Sequence, residues 1–473
     1  MGVINTDHTG SGGAITLSSD GTNLLLGGSA VGGGGGGADL YAANESSPAG
    51  QPSATGANAV AIGDSATASG ADTFAIGELA IASGISALAL GKSRAAGNWS
   101  IAIGVDSNAA HVGAMSQYSI AIGPSTKAGA QGTSTSKSVA LGNEAKAEGQ
   151  DSTALGAGAE ASGSNSISIA GGTTDSAATG GSSVGIGKGK STGQGSVNIS
   201  GSDASYNAQA SGIVLGKANI PSGGSKGFSV QIDSHTNTYG GTGSNSIALG
   251  YQNRASGSKS VAIGSSNQAT NSFATAIGTG NYATHYASVA LGRNNQSYAG
   301  YAVCLGNDNA VNQSKGFASG EKAKARTIGQ FARASGGQGS AGEMQTSWFT
   351  LNCTTSDATT RIMGAENGSN GSLSTDQVFL VDDSALSFIG TVVACGPDGT
   401  KTGGWEIKGH LKNAAGTTTL PASTVTALYN PNNWAVALTA HDAHNSLRVS
   451  VTGEASLSIW WSAQIMSSEV VNN

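Results

Sequence analysis

Ser260–Gly278 reads "SVAIGSSNQATNSFATAIG": a Val-Ala-Ile-Gly block, then fourteen residues later a Thr-Ala-Ile-Gly block. Taking the residue that closes each such block as an anchor gives Gly63, Gly77, Gly91, Gly104, Gly123, Gly142 and Gly156. Weaker copies close at Ala170, Gly187, Ser200, Gly216 and Gln231, and a clean series resumes at Gly250, Gly264, Gly278, Gly292, Gly306 and Gly320. Nine of the seventeen intervals are 14 residues and three are 19, so one unit recurs with occasional insertions. Five residues past the anchor stands a second column: Ala68, Ala82, Ala96, Ala109, Ala128, Ala147 and Ala161, later Ala255, Ala269, Ala283, Ser297, Val311 and Ala325. A third column, three past the anchor, is Asn253, Asn267, Asn281, Asn295 and Asn309. Columns of this kind arise when successive units stack one above another.

Each unit alternates in the β manner. In Val60-Ala61-Ile62 the branched residues share one face, assigned to the interior, and Ala61 takes the other. Gly63 then turns the chain, a second short strand points Ala66 and Ala68 inward, and Gly70 turns it again. Fourteen residues therefore make a coil of two short strands and two turns, and the eighteen anchors give a parallel solenoid of roughly 85 Å. The outer column Ala61, Ala75, Ala89 and Ala102 suits close packing against another chain, so oligomerisation is expected. The Asn column reads as stacked amides bonded along the solenoid, the alternative being an outward sugar-binding ladder. The long intervals carry His111–Tyr118, Ala130–Ser136 and Ser234–Ser244, expected as projecting loops for outside contacts.

Composition agrees with a repetitive β architecture. Gly is abundant (75 residues) without a Gly-X-Y period, which excludes collagen, and only 11% of residues are charged, which disfavours disorder. A net charge of −6 with no basic face argues against a nucleic-acid partner. No apolar run is long enough to cross a membrane as a helix, so no membrane insertion is expected. Cys304, Cys353 and Cys395 stand apart from one another and from His, so neither a disulfide framework nor a zinc site is expected.

Asn245–Thr270, "NSIALGYQNRASGSKSVAIGSSNQAT", resembles the head repeat of trimeric autotransporter adhesins, the YadA-like head, whose motif runs Asn-Ser-Val-Ala-Ile-Gly, then Ser and Ala, at a 14-residue period. The resemblance covers about 56–320. It implies a left-handed parallel β-roll and a homotrimer.

Both ends differ from the repeat. Residues 1–55 hold "GGAITLSSDGTNLLLGG", two short strands around Asp20-Gly21, followed by the six glycines Gly32–Gly37. They read as a docking segment with a linker. Residues 321–346 read as a neck. In 347–473 about eight alternating strands separated by turn residues suggest an antiparallel β-sandwich or jelly-roll, rich in Trp. The stretch "GQGSAGEMQTSWFTLNCTTSD" after YadA-like repeats, leading into this strand-rich segment, is similar to phage tail-fibre proteins.

Candidate chemistry is sparse. His441-Asp442-Ala443-His444 is the tightest His/Asp group, read as a loop between strands, with metal binding the alternative. Asp382-Asp383 are adjacent at a turn, where glycoside cleavage needs two separated acids across a cleft. No catalytic residues, metal or cofactor are therefore assigned. For receptor binding the sequence offers aromatic and imidazole groups, Trp405, Trp434, Tyr429, His441 and His444, since flat rings suit sugars and are enriched at binding hot spots. The expectation is a non-enzymatic homotrimeric virion fibre, assembled in the host cytoplasm since the N-terminus shows no signal pattern. It would dock to a tail or baseplate protein through its N-terminus and hold a tip against a host glycan or outer-membrane receptor. The alternatives are a bacterial surface adhesin and a tailspike polysaccharide depolymerase.

Overall fold

The computed structural model describes residues 50–472 except 105–112, 131–136, 171–175, 202–205, 217–218, 221–225, 232–238, 338 and 367–375, and the backbone of three short strands within 17–30. The rest of the expected docking segment lies outside the described residues. The chain divides into two units, Met1–Leu155 and Gly156–Asn473. No α-helix occurs among the described residues.

In the first unit Leu17–Ser19 pairs antiparallel with Leu24–Leu26, the hairpin expected around Asp20-Gly21. From Ser53 onward the chain coils. Val60–Ile62, Phe74–Ile76, Leu88–Leu90, Ile101–Ile103, Ile120–Ile122, Val139–Leu141 and Thr153–Leu155 stack as parallel strands with every block in register. The two-residue strands Thr67–Ala68, Ile81–Ala82, Arg94–Ala95, Gly113–Ala114, Lys127–Ala128 and Lys146–Ala147 form the opposite wall. The short interval before Gly104 moves the column from Ala96 to Ala95, and Ala114, not Ala109, follows it. Of the expected loop His111–Tyr118, residues 113–118 belong to the stacked turn, while 111–112, and with them 131–136 and 234–238 of the other two expected loops, lie outside the described residues. The ladder keeps register across both long intervals, Ile103 pairing with Ile122 and Ile122 with Leu141.

The sense of the alternation is the reverse of that expected. Ala61, Ala75, Ala89 and Ala102 are buried inside the coil, while Val60, Ile62, Leu88 and Leu90 face outward and half-buried, and Phe74 is 47% exposed. A fourteen-residue perimeter brings the two walls close together, so methyl groups, hydroxyls and amides fill most of the space between them, with Val214 and Val311 the branched aliphatic exceptions. The branched residues are left as an outward apolar column.

The second unit repeats this plan. Strands from Ile167–Ala170 to Phe331–Ser335 stack in parallel, and the weaker copies keep register, Ala170 opposite Gly187 and Gly216 opposite Gln231. Motif residues each have a structural task. Buried Ser246 and Ser260 donate from Oγ to the carbonyls of Gly243 and Gly257 (both 2.7 Å), closing the corner before each block. Gly264 has φ +116°, and a Cβ there would press on the Gly278 carbonyl of the next coil, so only glycine fits. The Asn column is inside the roll. The side-chain amides of Asn267, Asn281, Asn295 and Asn309 each donate to Oδ1 of the Asn one coil earlier at 2.9–3.0 Å. Each amide also donates to two backbone carbonyls, as Asn281 does to Ile277 (3.0 Å) and Gly292 (2.7 Å), so the buried amides are satisfied. The ladder is structural.

The roll runs further than expected. Residues 321–346, read as a neck, contain the strands Lys324–Ala325 and Phe331–Ser335 of a further coil. Beyond it the strands are numbered β1 Met344–Thr355, β2 Arg361–Ile362, β3 Val378–Phe379, β4 Ser384–Cys395, β5 Thr402–Ala414, β6 Thr417–Tyr429, β7 Ala435–His441, β8 Ser446–Thr452 and β9 Ile459–Val471. A five-stranded antiparallel sheet has the order β1-β9-β4-β5-β6, and β8 pairs with β7, β2 and β3 in a smaller one. A common core that includes Leu351, Leu386, Ile407, Trp461, Val449 and Leu447 lies between the two layers. The small second layer departs from the paired large sheets of a jelly-roll.

This domain closes the end of the roll. Phe331–Ser335 pairs antiparallel with β1, Phe331 opposite Trp348, so the last coil leaves no open strand edge on that side. A buried polar cluster locks the joint. Arg326 Nη1 lies 2.9 Å from Glu469 Oε1, and Gln345 Nε2 donates to Glu469 Oε2 at 2.8 Å. Gln330 Nε2 donates to Ser347 Oγ at 2.8 Å. Burial pushes the Glu469 carboxyl upward, and the Arg326 charge opposes that shift.

Two substitutions test these assignments by thermal unfolding. Ala269→Trp forces a ring into the roll interior and is expected to lower stability by about 3 kcal/mol per chain. Unchanged melting would contradict the inward register. Arg326→Ala strands the buried Glu469 and is expected to cost about 3–5 kcal/mol, most of it recovered when Glu469→Leu is added. Equal melting of the single and double variants would deny the coupling.

Candidate functional site

The residues offered by the sequence for receptor binding do not form one site. Trp405 and Trp434 are each 3% exposed and pack against Trp461 with ring centroids 5.6 and 5.8 Å away, so they belong to the core. Tyr429 is exposed at one end of the thirteen-residue β6. His441 and His444 lie at the other end, where Asp442 Oδ1 accepts the backbone N–H of Thr418 (2.6 Å). The two imidazoles meet edge to face at 4.5 Å, and burial, with Arg448 and His444 nearby, lowers the His441 pKa. Among the described residues no group of three His, Cys, Asp or Glu side chains could hold a metal ion.

The other candidate groups are bound into the fold. Asp382 Oδ1 accepts from Asn413 (3.0 Å) and Asn445 (3.1 Å), and Asp383 Oδ1 from the Ala415 N–H (3.2 Å), so both acids brace turns. Burial pushes the Cys304 thiol up to about 12 and the Cys353 thiol up to about 11, which keeps both protonated.

A different set of aromatics is exposed, and it lies on the roll. Coils turn one corner through a left-handed residue five before the anchor, where Asn58, Asp72, Ser86, Asn165 and Asn245, and also Lys259, Ala287 and Lys315, have φ of 51–62°. In four coils the same corner carries a large ring: Trp99, Tyr118, Phe273 and Tyr301, with φ of 53–61°. In the second unit Tyr286, beside the corner of the coil between, completes a ridge. Phe273, Tyr286 and Tyr301 meet edge to face at 5.5 Å each, and Lys259 Nζ sits 4.9 Å from the Phe273 ring centre. These rings remain 45%, 45% and 58% exposed. Tyr298, three residues before Tyr301, is also exposed. In the first unit Trp99 and Tyr118 stack in parallel at 5.1 Å.

The ridge is rigidly mounted. Phe273 N–H donates to the Ser258 carbonyl and Tyr301 N–H to the Tyr286 carbonyl, both at 2.9 Å, so each corner is tied to the coil before it. The left-handed region costs a non-glycine residue about 1–2 kcal/mol, and bulky residues are uncommon there. Ring contacts return about 0.5–1.5 kcal/mol each, while leaving much of every ring in water. Chain folding therefore gives little reason for rings at this corner. They were legible in principle, since all four corner rings share one register position, but counting aromatics directs attention to the Trp-rich C-terminal domain instead.

The YadA head domain repeat, as a two-copy unit, matches residues 54–80, 136–159, 147–169, 242–267 and 269–295. These segments of the roll are YadA head repeats. That makes this part of the chain adhesin-like, with parallel strands stacked as a β-solenoid. Phe273 and Tyr286 lie inside a matched segment, so the ridge is a decoration of the YadA head repeat rather than a break in it. No curated protein matches the chain.

Proposed function

We propose that this chain is a non-enzymatic attachment fibre: a self-associating YadA-head roll that holds an exposed aromatic ridge against a surface glycan. The observation that carries this reading is the ridge Phe273–Tyr286–Tyr301, exposed and mounted at left-handed corners, where bulky rings are uncommon. Flat apolar ring faces with polar tips, held on a stiff scaffold, suit sugar rings, because little conformational freedom is lost on contact. Self-association is supported by the outward column of Val, Ile and Leu, an apolar strip that water would otherwise cover. Three copies are proposed from the resemblance to trimeric adhesins.

The carrier is proposed to be a virion, with the chain as a tail fibre, on the likeness of a strand-rich C-terminal domain after YadA-like repeats to phage tail-fibre proteins. Immunogold labelling of particles and of bacterial surfaces separates this from a cell-borne adhesin. Gold on cells without particles would favour the adhesin.

Binding of the full-length chain to a glycan array and to bacterial cells tests the contact surface. The F273A/Y286A/Y301A variant is expected to lose at least about tenfold in affinity, with its melting temperature close to that of the parent. Unaltered binding would remove the ridge from the site. Release of reducing sugar ends from a bound polysaccharide would contradict the non-enzymatic reading.

A further inference from the structure

The five-stranded C-terminal sheet has two apolar faces, and its own domain covers one. Strands β1, β9 and β4 alternate, so that Trp348, Trp460, Met466, Val470, Ile389 and Val393 point away from the core, each 45–55% exposed. No outward position on these three described strands carries a charge; Glu469, the acid on β9, points inward to Arg326. Alternating strands with one wet face normally place Lys, Glu or Arg on it.

This face is also one surface with the roll. Trp348, Met466 and Ile389 stand opposite one another across β1, β9 and β4. The line continues backward: Trp348 opposite Phe331, Phe331 opposite Phe317, and Phe317 opposite Val303. The rings stack at 4.9 and 4.6 Å along the way. The outward apolar column of the last coils therefore runs into the outward face of the sheet without a break.

We infer that a second copy of this chain covers the outward face of the β1-β9-β4 sheet, so that the C-terminal domain clamps copies together instead of offering that face to a receptor. The inference rests on self-association of the roll as proposed above. Three observations select this occupant. A partner must follow the apolar line along both roll and sheet, and a parallel copy does so by symmetry. An uncharged apolar face is complementary to itself, whereas a charged partner would lose hydration there without gaining an ion pair. Depletion of charge with retention of Trp and Met is the composition of interface centres.

Hydroxyl-radical footprinting of the full-length protein, together with its mass in solution, tests this. In the assembled protein Trp348, Trp460 and Met466 are expected to oxidise at least about tenfold more slowly than their exposure in a single chain implies, after correction for intrinsic reactivity. Ile389→Glu with Val393→Glu leaves the core untouched. It is expected to raise the concentration needed for assembly at least about tenfold and to unmask Met466. An assembled wild type with Trp348 and Met466 fully reactive, or variants that assemble unchanged, would overturn the clamp and leave roll association standing. A monomeric wild type would overturn both. Protection that appears only when cells or glycan are added would hand the face to a receptor.

Discussion

The narrowness of the coil governs the rest of this structure. Two walls of a fourteen-residue turn approach so closely that the interior is filled mostly by small side chains such as Ala262, Ala269, Ser260 and Asn267, with Val214 and Val311 as isolated branched residues. A single coil therefore buries little apolar area. Its stability comes from the ladder above and below, from in-register strand pairing, and from the chain of amide bonds through Asn253, Asn267, Asn281, Asn295 and Asn309. What the interior cannot hold is displaced outward. The Val, Ile and Leu of each block become a surface, and a surface that repeats every coil calls for a repeating partner.

The same constraint explains the end of the roll. A stack of parallel strands finishes in unpaired N–H and C=O groups, a template for uncontrolled growth. Here β1 turns back antiparallel on Phe331–Ser335, and the Arg326–Glu469 pair with Gln345 and Gln330 fixes the joint from inside. Among the described residues the broad core lies in this domain, where Trp405 and Trp434 pack against Trp461. Large side chains inside one domain and outside the other are consequences of the spacing between the layers.

Much of this was legible in the residues. Period, register, the inward Ala68 and Ala269 columns and the structural role of the Asn ladder follow from alternation and stacking. The direction of the Val-Ala-Ile block does not, because a period of two sorts residues into two faces without saying which is inside. That sign depends on the distance between walls, a tertiary quantity. The extent of the roll was hidden because its last block, Phe331–Ser335, lacks the branched-Ala-branched-Gly pattern of the clean copies, although Gly320 and Ala334 pair in register. Trp405 and Trp434 were offered as contacts because composition records that a ring is present, not which face of a strand bears the core. The exposed rings Phe273 and Tyr301 were passed over for the converse reason: they sit singly among small residues, and only the register marks them as corner positions.

The central claim is that the branched residues face outward and meet those of another copy. Val289→Cys and Ala290→Cys, neighbours on one strand, separate it from its opposite when each full-length variant is treated with a short bis-maleimide beside the parent protein. The account predicts interchain cross-linked species from Val289→Cys, and from Ala290→Cys no more than the parent gives. Cross-linking through position 290 but not 289 would place Ala on the outside and contradict it.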